Sequence, residues 1–132
     1  MRLFVLVAAL AAAPAVASAQ QWTSVGKTRE GTAIFVSPSS IKRGGDTVIV
    51  RILARYVPAN FYREGSDTVR AVTTNATFDC VKEKVKVTES ALFSNFDRNR
   101  VVRRNKPKVP GYQAVFGGSM PQVYAYVCPK KK

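Results

Sequence analysis

The sequence predicts an α+β fold: a single antiparallel β-sheet of about five to six strands with a C-terminal helix packed on one face, held by one disulfide. Three observations carry this. Turn residues cut the chain into short extended pieces. The best of those pieces alternates apolar and polar side chains with a period of two, as a half-buried strand does. Near the C-terminus the apolar residues fall instead at helical spacing, and a helix laid on one sheet face is the economical core for so small a chain.

The 132 residues open on a segment that is not part of the fold. Arg2 gives a short positive end, Leu3 to Ala13 is an almost unbroken apolar run, and Ala17-Ser18-Ala19 supplies a small-x-small cleavage site. Residues 1–19 are therefore read as a secretory signal peptide cleaved after Ala19. A transmembrane anchor is the alternative, but the run is too short and too rich in alanine to span hydrocarbon well. No cysteine lies near the cut, so a lipid-anchored product is not expected. Residues 20–129 form one domain, and Lys130 to Lys132 are a basic tail.

Within the domain, Trp22 to Lys27 reads as a first strand, and Gly31-Thr32 restarts the chain into Ala33 to Val36. After Pro38-Ser39-Ser40, the run Arg43-Gly44-Gly45-Asp46 is a turn, because glycine adopts positive φ without a side-chain clash. Thr47 to Val57 is the clearest strand. Val48, Val50, Ile52, Ala54 and Tyr56 share one face, and Thr47, Arg51 and Arg55 the other. Ile49 and Leu53 interrupt that polar face, which implies that something covers part of it. Pro58 to Ser66 reads as a loop carrying Phe61 and Tyr62. Asp67 to Cys80 is a Thr- and Val-rich strand. Val81 to Phe96 follows, with Val81, Val85 and Val87 on one parity and Lys82, Lys84 and Lys86 on the other. Asp97-Arg98-Asn99 is a turn into Arg100 to Arg103, and Asn105 to Gly118 is irregular. The last element is open between helix and strand. Val123, Tyr124, Val127 and Cys128 recur at helical spacing, with Ser119 a candidate cap and Pro121 acceptable in the first turn, whereas Val and Tyr favour strands.

Two cysteines, Cys80 and Cys128, sit in a chain read as exported, where disulfides persist. A bridge between them closes a loop of about 50 residues, worth roughly 4 kcal/mol in the chain-entropy view. A reduced pair or a metal pair is the alternative, and the absence of histidine leaves zinc without its usual ligands.

Catalysis is not expected. With no histidine, the usual proton shuttle near neutral pH is missing, and the eight carboxylates are scattered among lysines. Cys80 and Cys128 lack the Cys-x-x-Cys spacing of redox pairs. No phosphate-cradling glycine loop and no metal-ligand cluster stands in the sequence, so no cofactor is expected. Asp79, beside Cys80, reads as a turn cap or a partner for lysine.

Charge is the feature that points to a partner. Removing the signal takes away Arg2 alone, leaving a net charge one below the +13 of the whole sequence. Such an excess favours polyanions and anionic surfaces. Lys82, Lys84 and Lys86 would line up about 6.6 Å apart on a regular strand. The denser cluster is Arg98, Arg100, Arg103, Arg104, Lys106 and Lys108, in which Asp97 is the only acidic neighbour. These six are the expected ligand contacts. Phe93, Phe96, Tyr112 and Phe116 flank them.

The order of landmarks resembles the surface-adhesin protein E family of small exported bacterial proteins. The matching pieces are Trp22-Thr23-Ser24-Val25-Gly26, Gly31-Thr32 with Ile34-Phe35-Val36, Ser39-Ser40-Ile41, Gly45 with Val48-Ile49-Val50-Arg51, Phe78-Asp79-Cys80, and Gly118-Ser119 leading to Val127-Cys128. The resemblance implies a compact antiparallel sheet with a C-terminal helix and a bridge between Cys80 and Cys128. It also implies an adhesin that binds host extracellular proteins such as vitronectin and laminin through basic residues. Two departures stand out: the sequence has no lipidated cysteine at the mature end, and Ser37 replaces the family's "vD" aspartate. The expected partner is an acidic matrix protein or a polyanionic glycan such as a glycosaminoglycan. The alternative is a soluble periplasmic factor that associates with anionic lipid headgroups or with an envelope assembly. Nucleic acid is disfavoured, because no ordered aromatic platform or motif for it is present. A soluble periplasmic location is expected first, with the cell surface or secretion as alternatives.

Overall fold

A computed structural model describes residues 21–107, 111–115 and 118–129; the signal segment 1–19, Lys108 and the tail 130–132 lie outside the described residues. The alternation in Thr47–Arg55 makes the central strand of an antiparallel sheet. In chain order the strands are β1 (Thr23–Lys27), β2 (Ala33–Val36), β3 (Lys42–Gly44), β4 (Thr47–Arg55), β5 (Tyr62–Glu64), β6 (Asp67–Val69), β7 (Ala71–Asp79), β8 (Lys84–Phe93), β9 (Val101–Asn105) and β10 (Gln113–Ala114), followed by one helix, α1 (Met120–Val127). The main sheet runs β1-β2-β4-β7-β8-β10, with β3 added to β4 and β9 to β8. Both long strands thus carry two short ones end to end along one edge. Strands β5 and β6 form a separate hairpin.

The α+β class, the antiparallel sheet, the C-terminal helix and the Cys80–Cys128 disulfide are as expected, with Cα atoms 5.4 Å apart across the bridge. The strand number is not: among the described residues the main sheet has eight strands rather than five to six. The additional ones are two or three residues long, too short to show a period. Within Pro58–Ser66, read as a loop, Tyr62–Glu64 is a strand. The two-residue turn Gly65-Ser66, with Gly65 at φ +63°, folds it back onto β6. The expected strand Val81–Phe96 starts only at Lys84, because Val81 and Lys82 sit in a turn held by Asp79. Within Asn105–Gly118, read as irregular, Gln113 and Ala114 pair with Val85 and Lys84.

Helix α1 resolves the open element, and Pro121 stands in its first turn. Ser119 makes no side-chain cap bond. Its backbone is helical (φ −89°, ψ −14°) rather than extended as a capping residue requires. At the other end, Arg43 donates from Nη1 to the Val127 carbonyl at 2.7 Å, placing positive charge where the helix dipole is negative.

The helix covers one sheet face. Ile34, Val36, Val48, Val50, Ile52, Ala76, Phe78 and Val85 meet Val123, Val127 and Cys128 there, all buried. The Tyr124 ring tilts against Phe78, and its hydroxyl donates to the Cys80 carbonyl at 3.0 Å. The helix is therefore fixed to the β7 end by packing, a hydrogen bond and the disulfide together. On the opposite face a smaller cluster joins Leu53, Ala71, Ala91 and Phe93, with Trp22, Phe35 and Phe96 packed against it. These rings are the cover that Leu53 implied.

Candidate functional site

Residues opposite each other in an antiparallel ladder share a face. Starting from Arg51, the helix-free face follows from the register. Lys42 stands opposite Ile49, and Arg51, Leu53 and Arg55 stand opposite Asn75, Thr73 and Ala71. Beyond β7 lie Glu89, Ala91 and Phe93 at one end and Lys84 and Lys86 at the other. A bulge opposite Asn75/Ala76 makes this possible: it inserts Thr88, whose hydroxyl donates to the Asn75 carbonyl, and restores Glu89 to the side of Lys86. Across from Ala91, Arg104 completes the face.

The structure separates the six expected contacts. Arg100 pairs with Asp67 at 3.0 Å, Arg103 with Glu64 at 2.6 Å and Arg104 with Glu89 at 3.4 Å. Two of these acids belong to the β5–β6 hairpin, so Arg100 and Arg103 lean toward it. Arg104 alone of the three projects on the helix-free face. Lys106 is exposed just beyond β9. Arg98 sits at the tip of the β8–β9 turn with φ +57°, donating to the Phe96 carbonyl and stacking 5.2 Å from the Trp22 ring. The lysine stripe is broken. Lys82 is in the turn, whereas Lys84 and Lys86 remain on the helix-free face, with Lys86 5.1 Å from the Tyr112 ring.

Asp79 is structural. Its Oδ1 accepts from the backbone N–H of Val81 at 3.0 Å and of Lys82 at 2.9 Å. The Lys82 N–H above all holds its carboxyl below the ordinary value. It caps the β7–β8 turn.

Two arginines complete the site that sequence reasoning left on an ordinary polar face. The Arg55 guanidinium lies 4.6 Å above the Phe96 ring. The Arg51 Nε is buried without a hydrogen-bond acceptor. Among the described residues no carboxylate lies within ion-pair distance of Arg51, Arg55 or Arg98. Burial, followed by the charges of Arg55 and Arg51, pushes the Arg98 pKa down, against an upward pull from Asp97. Arg98, contributed by a turn, thus shares its surroundings with two arginines of β4. The signal in the sequence was the spacing Arg51-x-Leu53-x-Arg55 on one face. What remained invisible was which turn would fold over it.

Residues 22–129 match the family described as surface-adhesin protein E. The chain belongs to that family. No curated protein sequence matches it. Among solved structures it is similar to Haemophilus influenzae protein E, at 12% identity and a TM-score of 0.53 over 81% of this chain and 83% of that one. A selenomethionine form of that protein gives 11% identity and a TM-score of 0.54, over 80% and 84%. Protein E from non-typeable Haemophilus influenzae gives 11% and 0.52, over 80% and 74%. At such identity the likeness concerns the fold. Family membership makes the chain adhesin-like, and the arrangement of charge on the sheet is this chain's own.

Proposed function

We propose that this protein is an exported, non-enzymatic binding protein that holds an acidic matrix protein or a glycosaminoglycan on a basic surface. The observation that carries the reading is the concentration of arginine around the β8–β9 turn and β9, in a member of a surface-adhesin family. Arg98, Arg100, Arg103, Arg104 and Lys106 are its contacts among the described residues, and Lys108 continues the cluster in sequence. Guanidinium groups suit the role because their planar forks match carboxylate and sulfate bidentately. The three ion pairs do not forbid it: exposed pairs of this kind are worth about 0–1 kcal/mol and open readily for a multivalent anion. Residues 1–19 would direct the chain out of the cytoplasm.

The test is a variant with Arg98, Arg100, Arg103 and Arg104 all replaced by Ser, measured against heparin and immobilised matrix protein. Binding should fall at least tenfold, and the parent's affinity should drop as salt rises toward physiological strength. Replacing Lys82, Lys84 and Lys86 should weaken binding less. Equal affinity for parent and variants, with little salt dependence, would reduce the cluster to a solvated surface. Protease sensitivity of the protein on intact cells would place it at the surface; protection would place it in the periplasm.

A further inference from the structure

Resting on that reading, we propose that the helix-free sheet face is a docking strip for an unbranched sulfated polysaccharide, with Arg51, Arg55 and Arg98 as its sulfate contacts. These three have no carboxylate within ion-pair distance among the described residues, whereas Arg104 on the same face, and Arg100 and Arg103 toward the hairpin, are each paired. Their charge is therefore uncompensated at short range; Asp97 acts on Arg98 only more distantly.

The geometry favours a chain over a compact anion. Arg51 and Arg55 are four residues apart on one strand face, about 13 Å along the strand, and the strip reaches Lys42, opposite Ile49, after about 20 Å in all. Past Arg51 the face opens into a depression of about 430 Å³, lined by Ser39, Lys42, Ile49 and Asn75 among others. A single sulfate or phosphate would occupy one point of this strip, while a polymer with a sulfate on successive sugars engages its whole length. The polar side chains beside the charges, Ser39 and Asn75, offer hydrogen bonds to sugar hydroxyls.

The same arrangement disfavours a folded acidic protein. Protein interfaces centre on free aromatic anchors. Here the rings of Phe96 and Trp22 are covered by the Arg55 and Arg98 guanidinium groups at 4.6 and 5.2 Å. Contact with the rings restrains each guanidinium and leaves N–H groups for an oxyanion, in Arg98 those not donated to the Phe96 carbonyl, so less side-chain freedom is lost on binding.

The experiment measures binding of a heparin dodecasaccharide at physiological salt to the parent, Arg51→Gln/Arg55→Gln, Arg51→Lys/Arg55→Lys and Arg100→Gln/Arg103→Gln. N-desulfated heparin and a poly-glutamate peptide serve as comparison ligands. The glutamine pair on β4 should lose at least tenfold. The lysine pair, which keeps charge and stem packing but not the fork, should lose several-fold, so that a folding defect in the glutamine variant does not decide the matter. Arg100→Gln/Arg103→Gln, at contacts whose charge is already compensated by Asp67 and Glu64, should lose clearly less than the glutamine pair on β4. Full affinity in both β4 variants with a large loss in Arg100→Gln/Arg103→Gln overturns the strip while sparing the broader polyanion reading. Poly-glutamate binding as tightly as heparin overturns the choice of a sulfated glycan in favour of acidic protein. No binding of the parent to either ligand overturns both readings together.

Discussion

Asp79 commits its carboxylate to the chain itself, and this fixes a pH dependence. The N–H groups of Lys82 and Val81 favour the ionised form, so the folded pKa lies below the ordinary 3.8. A carboxylate depressed in this way contributes stability that is present above its unfolded pKa and lost as pH falls through the folded one. Asp79→Ala should therefore melt lower than the parent at neutral pH, and the gap between them should close as pH drops below 3.8. Thermal melts at pH 7, 4 and 2.5 check this. A gap that stays constant through that range would mean that the carboxylate is not what holds the turn. Asp79 was legible in the sequence as a turn cap, because an aspartate two and three residues before free N–H groups has a local use. Arg51 was not legible as a site residue, since its importance depends on Arg98, 47 positions away, arriving from a turn.

At the scale of elements, the helix and the bridge act as one unit. Helix α1 is only eight residues long, too short to be stable alone in water. Val123 and Val127 bury one side of it in the sheet, and Cys128 ties its end to Cys80. Replacing both cysteines by alanine should cost about 2–5 kcal/mol, the usual range for a native bridge in a small domain. Chemical denaturation should show it, together with lost helical ellipticity. An unchanged midpoint would show that packing of Val123, Val127 and Tyr124 alone secures the helix. The helical spacing of these residues was visible in the sequence. The short strands β3, β5, β6 and β10 were not, because two or three residues carry no period and their pairing is set by distant partners.

Across the whole molecule, two unlike faces divide the work. The helix side holds the larger apolar core, and the other side holds a small ring-covered cluster beside the uncompensated arginines. Phe96 links the parts: it packs on the second cluster, meets Phe61 near the hairpin at 6.0 Å and carries Arg55 on its face. Phe96→Ala should cost about 2 kcal/mol, roughly half the loss for a fully buried phenylalanine, as the ring is half-buried. It should also expose the hairpin around Tyr62–Val69 to limited proteolysis, while Tyr112→Ala, at an exposed ring, should stay within about 0.5 kcal/mol. Proteolysis of the hairpin at the parental rate would show that the Asp67–Arg100 and Glu64–Arg103 pairs hold it instead.

The sequence by itself determined what depends on neighbours in the chain. That includes the alternating strand Thr47–Arg55, the glycine turn before it, the helical spacing of Val123 and Val127, the only available cysteine pair and the sign of the charge. Tertiary structure alone decided which charges are free. The contiguous cluster from Arg98 to Lys106 is divided by ion pairs to Glu64, Asp67 and Glu89, which come from other strands. The bulge at Thr88 reverses the facing of β8 midway, so strict alternation misplaces every side chain beyond it. Local conformation follows from dihedral preference and period, which the chain carries in order; electrostatic compensation follows from distances of a few ångströms between residues far apart in that order.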